Sequence, residues 1–314
     1  METTSAGVRN ELEQRLLSVY GLTDRFEPPD WDKYEQRGMN KLLSILPAHL
    51  QQVLYEILKN DPLGLEEVVL EIGRPPSLRY RDKEYYGVAE RLITSERDIE
   101  QVQAKLAGRI KTNGRAGIEG TLHRVSVRRD SGGRVIGFTI RIARALPGIA
   151  EPLRPYLEGA NPSLLIIGPP GVGKTTLLRD VARILSEVYG RRAAIIDTSG
   201  EIAGEGTVPH PIIGYASRFA VQDPSRQAHA MLEAVANHSP RVVIIDEISS
   251  REEADVVLQY SRKGVAVVSS IHGYGLRDAS ENPAYYPLLG IPDNRDPKRL
   301  VKPLYSAAIE IVGI

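Results

Sequence analysis

Residues 168–175, with the sequence GPPGVGKT, have the residue types and spacing of a phosphate-binding loop. The glycines let backbone N–H groups turn inward around an anion, and a helix that follows adds the positive end of its dipole. Lys174 can then reach the terminal phosphates of a nucleotide, and the Thr175 hydroxyl is suited to Mg²⁺. The predicted phosphate-binding residues are Gly168, Pro169, Pro170, Gly171, Val172, Gly173, Lys174, Thr175 and Thr176.

A second acidic pattern lies downstream of this loop. Four apolar residues, 242–245, lead directly into Asp246 and Glu247. An acid at the end of such a strand can hold Mg²⁺, and a second carboxylate directly after it can orient an attacking water. The pair therefore favours nucleotide hydrolysis, with Lys174 and Glu247 as catalytic residues and with Thr175 and Asp246 at the metal. The chain has no N-K-x-D or T-K-x-D sequence, which argues against a guanine-selective GTPase.

Three further polar residues follow apolar segments that read as strands. His272 comes after residues 265–269 and is a third catalytic candidate, because a histidine there can contact the terminal phosphate. Asp197 and Glu201 follow residues 193–196 and have weaker support. Each of them could equally be an ordinary polar residue at a strand end.

These residues need strands and helices that alternate along the chain. Short apolar strands are predicted at 164–167, 193–196, 242–245 and 265–269, with helices between them at 227–237 and 251–263. Such alternation is typical of a parallel sheet with helices on both faces, whose functional residues lie at the carboxyl ends of the strands. The predicted fold class is α/β, a P-loop NTPase domain of the RecA/AAA type preceded by a smaller α+β domain.

The predicted segments are an acidic helical leader (1–38), the α+β domain (39–148) and the P-loop domain (149–314). The leader contains a helical apolar stripe at 8–20 and ends near the sequence EPPDW. In the α+β domain we expect a helix at 42–58 broken by Pro47, and strands within 66–80 around the turn 73–76. A helix at 94–109 and a hairpin formed by 122–127 and 135–142 follow. A proline-rich linker, 146–162, leads into the P-loop domain.

Charge is balanced over the whole chain but not locally. The chain has 40 Lys and Arg against 40 Asp and Glu, whereas residues 109–144 have nine bases and two acids, a net of +7. This stretch could be a solvated strand face, a set of phosphate contacts or a nucleic-acid groove. The chain has no cysteine and no apolar run long enough for a membrane span, and no signal or transit peptide is visible. We expect a soluble, cytoplasmic protein, and a plastid stroma is not excluded.

Several motifs together resemble one family. GPPGVGKTTLLRD, DTSGEI, VVIIDEI and SSIHG are similar to the ATPases of stage III sporulation protein AA and their cyanobacterial and plastid relatives, which look like type II/IV secretion and pilus-retraction ATPases. EIGRPP and FTIRIAR extend the resemblance into the first domain, and GIEGTLHRVS and PHPIIG match the cyanobacterial and plastid branch better.

The resemblance implies an ATP- and Mg²⁺-dependent hydrolase that forms a homo-oligomer, most simply a hexamer, and works as a motor on an unidentified protein assembly. It also implies arginines that contact phosphate across a boundary, with Arg141 and Arg144 as candidates and Arg218 and Arg226 as further ones. The alternative function is ATP-dependent binding or remodelling of single-stranded nucleic acid, based on the basic stretch.

Overall fold

The chain folds into two six-stranded sheets, one antiparallel and one parallel. The structure, a computed structural model, describes residues 28–60, 64–81, 83–86, 93–198, 200–221, 223–292 and 303–312. The predicted helix at 8–20 lies outside these residues. None of the helices within them is both long and apolar enough to cross a lipid bilayer. The predicted α/β fold class, with an α+β unit before the parallel sheet, is confirmed.

The antiparallel unit combines three helices with six strands. The strand order is β3-β2-β1-β6-β5-β4. The elements are α1 (Trp31–Ile45), α2 (Ala48–Asn60), β1 (Leu65–Glu71), β2 (Ser77–Tyr80), β3 (Lys83–Tyr86), α3 (Glu96–Lys105), β4 (Arg115–Gly117), β5 (Arg124–Arg129) and β6 (Val135–Arg141).

The helices cover one face of this sheet. Val68, Leu70, Phe138 and Ile140 alternate along β1 and β6 and are fully buried there, as expected for strands with one covered face. Charged residues, including Glu67 and Arg141, occupy the intervening positions. The second face of the antiparallel sheet is therefore polar.

The parallel unit carries the phosphate-binding loop. Its strand order is β12-β7-β11-β10-β8-β9, so β11 lies between the strand before the loop and the strand that ends at Asp246. The elements are α4 (Arg154–Leu157), β7 (Leu164–Gly168), α5 (Lys174–Tyr189), β8 (Ala193–Asp197), β9 (Ser217–Ala220), α6 (Gln227–His238), β10 (Val242–Ile245), α7 (Arg251–Arg262), β11 (Ala266–His272), α8 (Leu276–Glu281), α9 (Tyr286–Leu289) and β12 (Ala307–Glu310).

Alternate residues of these strands enter two separate cores. Leu164 and Ile166 pack with α5 on one face, and Leu165 and Ile167 pack with α6 and α7 on the other. The near-continuous apolar strands are explained by this burial on both faces.

The structure differs from the sequence-based expectation at several elements. One helix, α1, crosses residue 38, where the sequence placed the end of the leader, and Trp31 packs against the core of the parallel unit. The break expected at Pro47 within 42–58 is present, because α1 ends at Ile45 and α2 begins at Ala48, but α1 begins already at Trp31. Strands β3, β4, β9 and β12 were not predicted, since each has three or four residues and too little alternation to be recognised.

The linker between the two units is held by the helix that follows the phosphate-binding loop. Asp180 of α5 is 1% exposed, and its Oδ2 accepts hydrogen bonds from the backbone N–H groups of Gly148 (2.9 Å) and Ala150 (2.7 Å). Its Oδ1 accepts from Arg183 Nε at 2.6 Å. One buried carboxylate therefore holds two linker amides and an arginine.

Candidate nucleotide-binding site

The phosphate-binding loop lies where its sequence predicts, between β7 and α5. Gly171 and Gly173 have φ values of 79° and 99°, in the left-handed region that favours glycine. Gly168 is needed for a different reason, because a Cβ there would lie 2.8 Å from Val172 Cγ1 and 3.0 Å from Ile311 O. The loop thus takes a turn that side chains at these positions would prevent.

Lys174 is directed back along the loop. Its Nζ donates to the carbonyl oxygens of Gly168 (2.7 Å) and Pro169 (2.9 Å). Burial lowers the pKa of Lys174, while Glu247, followed by Asp246 and Glu201, acts to raise it. The ammonium is therefore held near the strand end, and the acids around it favour its charged form.

Thr175 and Asp246 face each other across the start of α5. Thr175 Oγ1 lies 3.3 Å from Asp246 Oδ1, and Ser270 donates to the backbone oxygen of Asp246 at 2.5 Å. Burial raises the pKa of Asp246 well above its ordinary value, and the neighbouring Glu201 and Asp197 raise it further. A buried acid beside other acids favours a cation, and the oxygen donors of this pair suit Mg²⁺. Among the described residues no group of three or more His, Cys, Asp or Glu is placed so that it could hold a metal ion.

His272 connects Lys174 with Glu247. Lys174 Nζ lies 3.0 Å from His272 Nδ1, and His272 Nε2 lies 2.9 Å from Glu247 Oε2. Since an ammonium can only donate, Nδ1 accepts, which leaves the proton on Nε2, the nitrogen that contacts Glu247. The three predicted catalytic residues therefore lie in one continuous series of polar contacts near the ends of β11 and β10.

Glu201 also enters this site, although its support from the sequence analysis was weaker. Its Oε2 lies 3.5 Å from Thr175 Oγ1, and its Oε1 forms an ion pair with Arg124 of β5. Asp197 lies beneath it and accepts from the backbone N–H groups of Glu201 (3.0 Å) and Ala203 (2.8 Å). Burial raises the pKa of Asp197 to about 6. Asp197 thus shapes the loop, and Glu201 faces the site.

A cavity of about 860 Å³ opens between the phosphate-binding loop and the polar face of the antiparallel sheet. The loop side contributes Lys174, Thr175 and Asp246, and the opposite side contributes four arginines. Those arginines are Arg79, Arg115, Arg124 and Arg141. The cavity is therefore bounded by both sheets of one chain.

The sequence analysis named four arginines as candidate phosphate contacts, and only one of them lines the cavity. Arg141 lines the cavity and pairs with Glu67 at 3.1 Å. Arg144 donates to the backbone oxygen of Leu65 at 3.0 Å and does not line the cavity. Arg218 donates to the backbone of the loop at 204–207, and Arg226 is exposed just before α6.

The basic stretch at 109–144 is largely paired with acids in the fold. Its partners lie on the same sheet, on α3 or on the loop that contains Glu201. The pairs are Lys111 with Glu205, Arg124 with Glu201, Arg128 with Glu71, Arg134 with Glu96, and Arg141 with Glu67. The local excess of positive charge counted along the sequence is therefore reduced in three dimensions.

Some site residues were missed by sequence reasoning. Gln227 Nε2 donates to Glu247 O at 2.8 Å, and Thr198 donates to Gln227 Oε1, so the backbone of Glu247 is fixed from α6. Arg124 belongs to GIEGTLHRVS, a motif that had been noted for resemblance alone. Nothing in the local spacing shows that it reaches Glu201, 77 residues further along the chain.

The strand order, the glycine-rich loop and the acid at the end of β10 define this chain as a P-loop protein with a parallel sheet. Its fold is similar to the ATPase DotB of Legionella pneumophila, with a TM-score of 0.52, 16% identity, and coverage of 77% of this chain and 72% of that chain. For the pilus retraction motor PilT with bound ADP, the TM-score is 0.53 at 16% identity, with coverage of 74% and 73%. At such identities the likeness concerns the fold.

The chain belongs to the family described as sporulation stage III, protein AA, whose model matches residues 108–294. It is 35% identical to stage III sporulation protein AA of Bacillus subtilis over 270 residues, 78% of this chain and 85% of that protein. The uncharacterized protein ycf45 of Porphyra purpurea is 42% identical over 252 residues, 80% of this chain and 44% of that protein. Protein SEEDLING PLASTID DEVELOPMENT 1 of Arabidopsis thaliana is 36% identical over 291 residues, 88% of this chain and 42% of that protein. The chain thus spans less than half the length of the latter two relatives, and the family expected from the motifs is confirmed.

Proposed function

We propose that the protein hydrolyses ATP with Mg²⁺ and works as an oligomeric motor on a protein assembly, in the manner of secretion ATPases. The observation that supports hydrolysis is the series of side-chain contacts from Lys174 through His272 to Glu247, next to the Thr175–Asp246 pair. A phosphate-binding lysine, a magnesium-type oxygen pair and a carboxylate suited to hold water meet at one strand edge.

Each side chain has a role that follows from its position. The loop at 168–176 binds the phosphates through backbone N–H groups, and Lys174 neutralises the terminal ones. Thr175 and Asp246 hold Mg²⁺, which supplies charge neutralisation of the phosphates when bound. Glu247 accepts a hydrogen bond from the attacking water, and His272 keeps Glu247 oriented by donating to it.

Oligomeric assembly and action on a protein partner rest on the family and on the fold. The relatives in fold include the pilus retraction motor PilT, whose structure matches 74% of this chain. A hexamer would bring a neighbouring subunit's arginine to the nucleotide. The candidates for that arginine are Arg141, Arg144, Arg218 and Arg226, of which Arg141 also lines the cavity of its own chain.

The ion pairs of the basic stretch count against the alternative function in single-stranded nucleic-acid remodelling. A nucleic-acid groove needs cations that can release counterions on binding phosphate. Here five of the nine bases already have a carboxylate partner.

The test is the steady-state rate of ATP hydrolysis by the purified chain with Mg²⁺. Glu247→Gln should lower kcat by about 10²- to 10⁴-fold, because it removes a general base, and Lys174→Ala should abolish nucleotide binding. Glu252→Gln is the matched control, since Glu252 is an exposed acid in the first turn of α7, and it should leave the rate unchanged. Wild-type rates in both active-site variants would refute the proposal. A strong, salt-dependent stimulation by single-stranded DNA or RNA would instead favour the alternative.

A further inference from the structure

A row of charged residues crosses the polar face of the antiparallel sheet in register. Glu67 of β1 lies opposite Arg79 of β2 and Arg141 of β6, and Arg141 lies opposite Arg124 of β5. Directly opposed residues on antiparallel strands lie roughly 5 Å apart at Cβ. Arg124 and Arg141 are thus neighbouring like charges, and each needs its own carboxylate.

The two arginines find their carboxylates in opposite directions. Arg141 pairs with Glu67 within the sheet at 3.1 Å, and Arg79 lies 3.6 Å from the same carboxylate. With Glu67 engaged there, Arg124 reaches across the cavity to Glu201. The Arg124 side chain is 16% exposed, against 60% for that of Arg141, so the arginine that reaches Glu201 is the better shielded of the two.

The backbone of Glu201 is fixed independently of Arg124. Its N–H donates to Asp197 Oδ1 at 3.0 Å, and its carbonyl accepts from Arg179 Nε at 2.5 Å. What remains to be set is the direction of the carboxylate. Arg124 holds Oε1, which leaves Oε2 directed at Thr175 Oγ1 at 3.5 Å.

The loop that contains Glu201 comes unusually close to the antiparallel unit at this place. Gly117 pairs with Arg124 across β4 and β5, and a Cβ on Gly117 would lie 2.0 Å from Glu205 Cβ. A second ion pair, between Lys111 and Glu205 at 2.8 Å, joins the same two segments without lining the cavity.

We propose that Arg124 is a positioning residue for hydrolysis, which reaches from the antiparallel sheet to fix the Glu201 carboxylate beside Thr175 and Asp246 in the same chain. This inference rests on the proposed ATP hydrolysis and names a residue that acts on that site. The antiparallel unit then contributes to the chemistry through a carboxylate of the P-loop unit.

The experiment measures kcat and KM for ATP, together with the Kd for ADP, in five forms of the chain besides wild type. They are Arg124→Gln, Arg124→Lys, Glu201→Gln, the double variant Arg124→Gln/Glu201→Gln, and the control Lys111→Met. Lys111→Met removes an ion pair between the same segments but leaves Glu201 untouched.

Arg124→Gln should lower kcat by about 10- to 100-fold, the range expected when a reacting group is misplaced by about 1 Å, with KM and Kd within about twofold. Arg124→Lys should recover part of the loss, because it keeps the charge without the planar fork. Lys111→Met should keep the wild-type kcat. The double variant should be no slower than Glu201→Gln, since residues that act as one unit are not additive.

Three results would overturn the inference. They are a wild-type kcat in Arg124→Gln, a double variant in which the two losses multiply, and equal losses in Arg124→Gln and Lys111→Met. If Arg124→Gln does not fold, the comparison of Arg124→Lys with Lys111→Met decides the question in the same way. An inactive wild-type chain would refute the proposed function and this inference with it, whereas an active chain insensitive to Arg124 would refute the inference alone.

Discussion

Removal of the Asp180 carboxylate should destabilise the fold, because the linker amides of Gly148 and Ala150 donate to it. In Asp180→Ala the amides of Gly148 and Ala150 lose their acceptor, and Arg183 Nε loses a partner at 2.6 Å. A buried donor left without a partner costs about 1–3 kcal/mol, and this penalty applies to the amide of Ala150, which is buried. Gly148 is exposed, so its amide can bind water instead. Arg183 keeps its bonds to Glu151 and Glu187, both at 2.7 Å, and adds little. The expected loss of about 1–3 kcal/mol is a substantial part of the roughly 5–15 kcal/mol that is typical of folded domains.

The assay is urea unfolding, followed by the fluorescence of Trp31 and by circular dichroism. Trp31 is the single tryptophan of the chain and packs against the core that contains Ala150, so it reports on this part of the molecule. The matched control is Glu187→Ala, which removes a partly exposed partner of Arg183 and should cost below about 1 kcal/mol. A loss below 1 kcal/mol in Asp180→Ala, or equal losses in the two variants, would refute the reasoning.

Two other predictions concern histidines. His272→Ala should lower kcat about 10- to 100-fold, which corresponds to the loss of a charged hydrogen bond of about 1.5–3 kcal/mol. The Kd for ADP should change less than about threefold. Weaker ADP binding with an unchanged kcat would contradict the role given to His272. Burial, together with the smaller effects of Arg179 and His123, lowers the pKa of His210 to about 3, so the unfolded chain binds a proton below pH 6.5 that the folded chain does not. The unfolding free energy of wild type should therefore fall relative to that of His210→Gln by about 1.4 kcal/mol per pH unit as the pH is lowered from about 6 to about 4. The measurement is urea unfolding of both proteins at each pH. Parallel plots of unfolding free energy against pH for the two proteins would contradict this prediction.

The sequence carried most of the information about the parallel unit. β7, β8, β10 and β11 are short apolar runs that end in polar residues, and burial on both faces of the sheet gives this pattern directly. The Lys174, Thr175 and Asp246 positions follow from the loop and from the end of β10. Each of these two patterns lies within a short stretch of sequence, which is why pattern reasoning finds them.

Contacts between distant segments were beyond the reach of local patterns. The Arg124–Glu201 pair depends on how the antiparallel sheet lies over the loop after β8, and neither residue has a distinctive neighbourhood. The net charge of the basic stretch was counted correctly, but its acids come from other strands and loops. The start of α1 was missed because EPPDW predicts only a break, whereas Asp30 within it accepts from Lys33 N and caps the helix that follows.

Because β11 lies between β7 and β10, the geometry of the site depends on the number of residues in this strand. Ser270 bonds to the backbone of Asp246 on one neighbour, and His272, two residues later, reaches Lys174 on the other side. Ser269, on the opposite face, bonds to Tyr305 in the second core. A one-residue insertion or deletion within this strand would exchange its two faces, placing Ile271 where His272 should be and a hydroxyl in an apolar core. The number of residues in β11 is therefore a stricter requirement for the site than the identity of most residues in it.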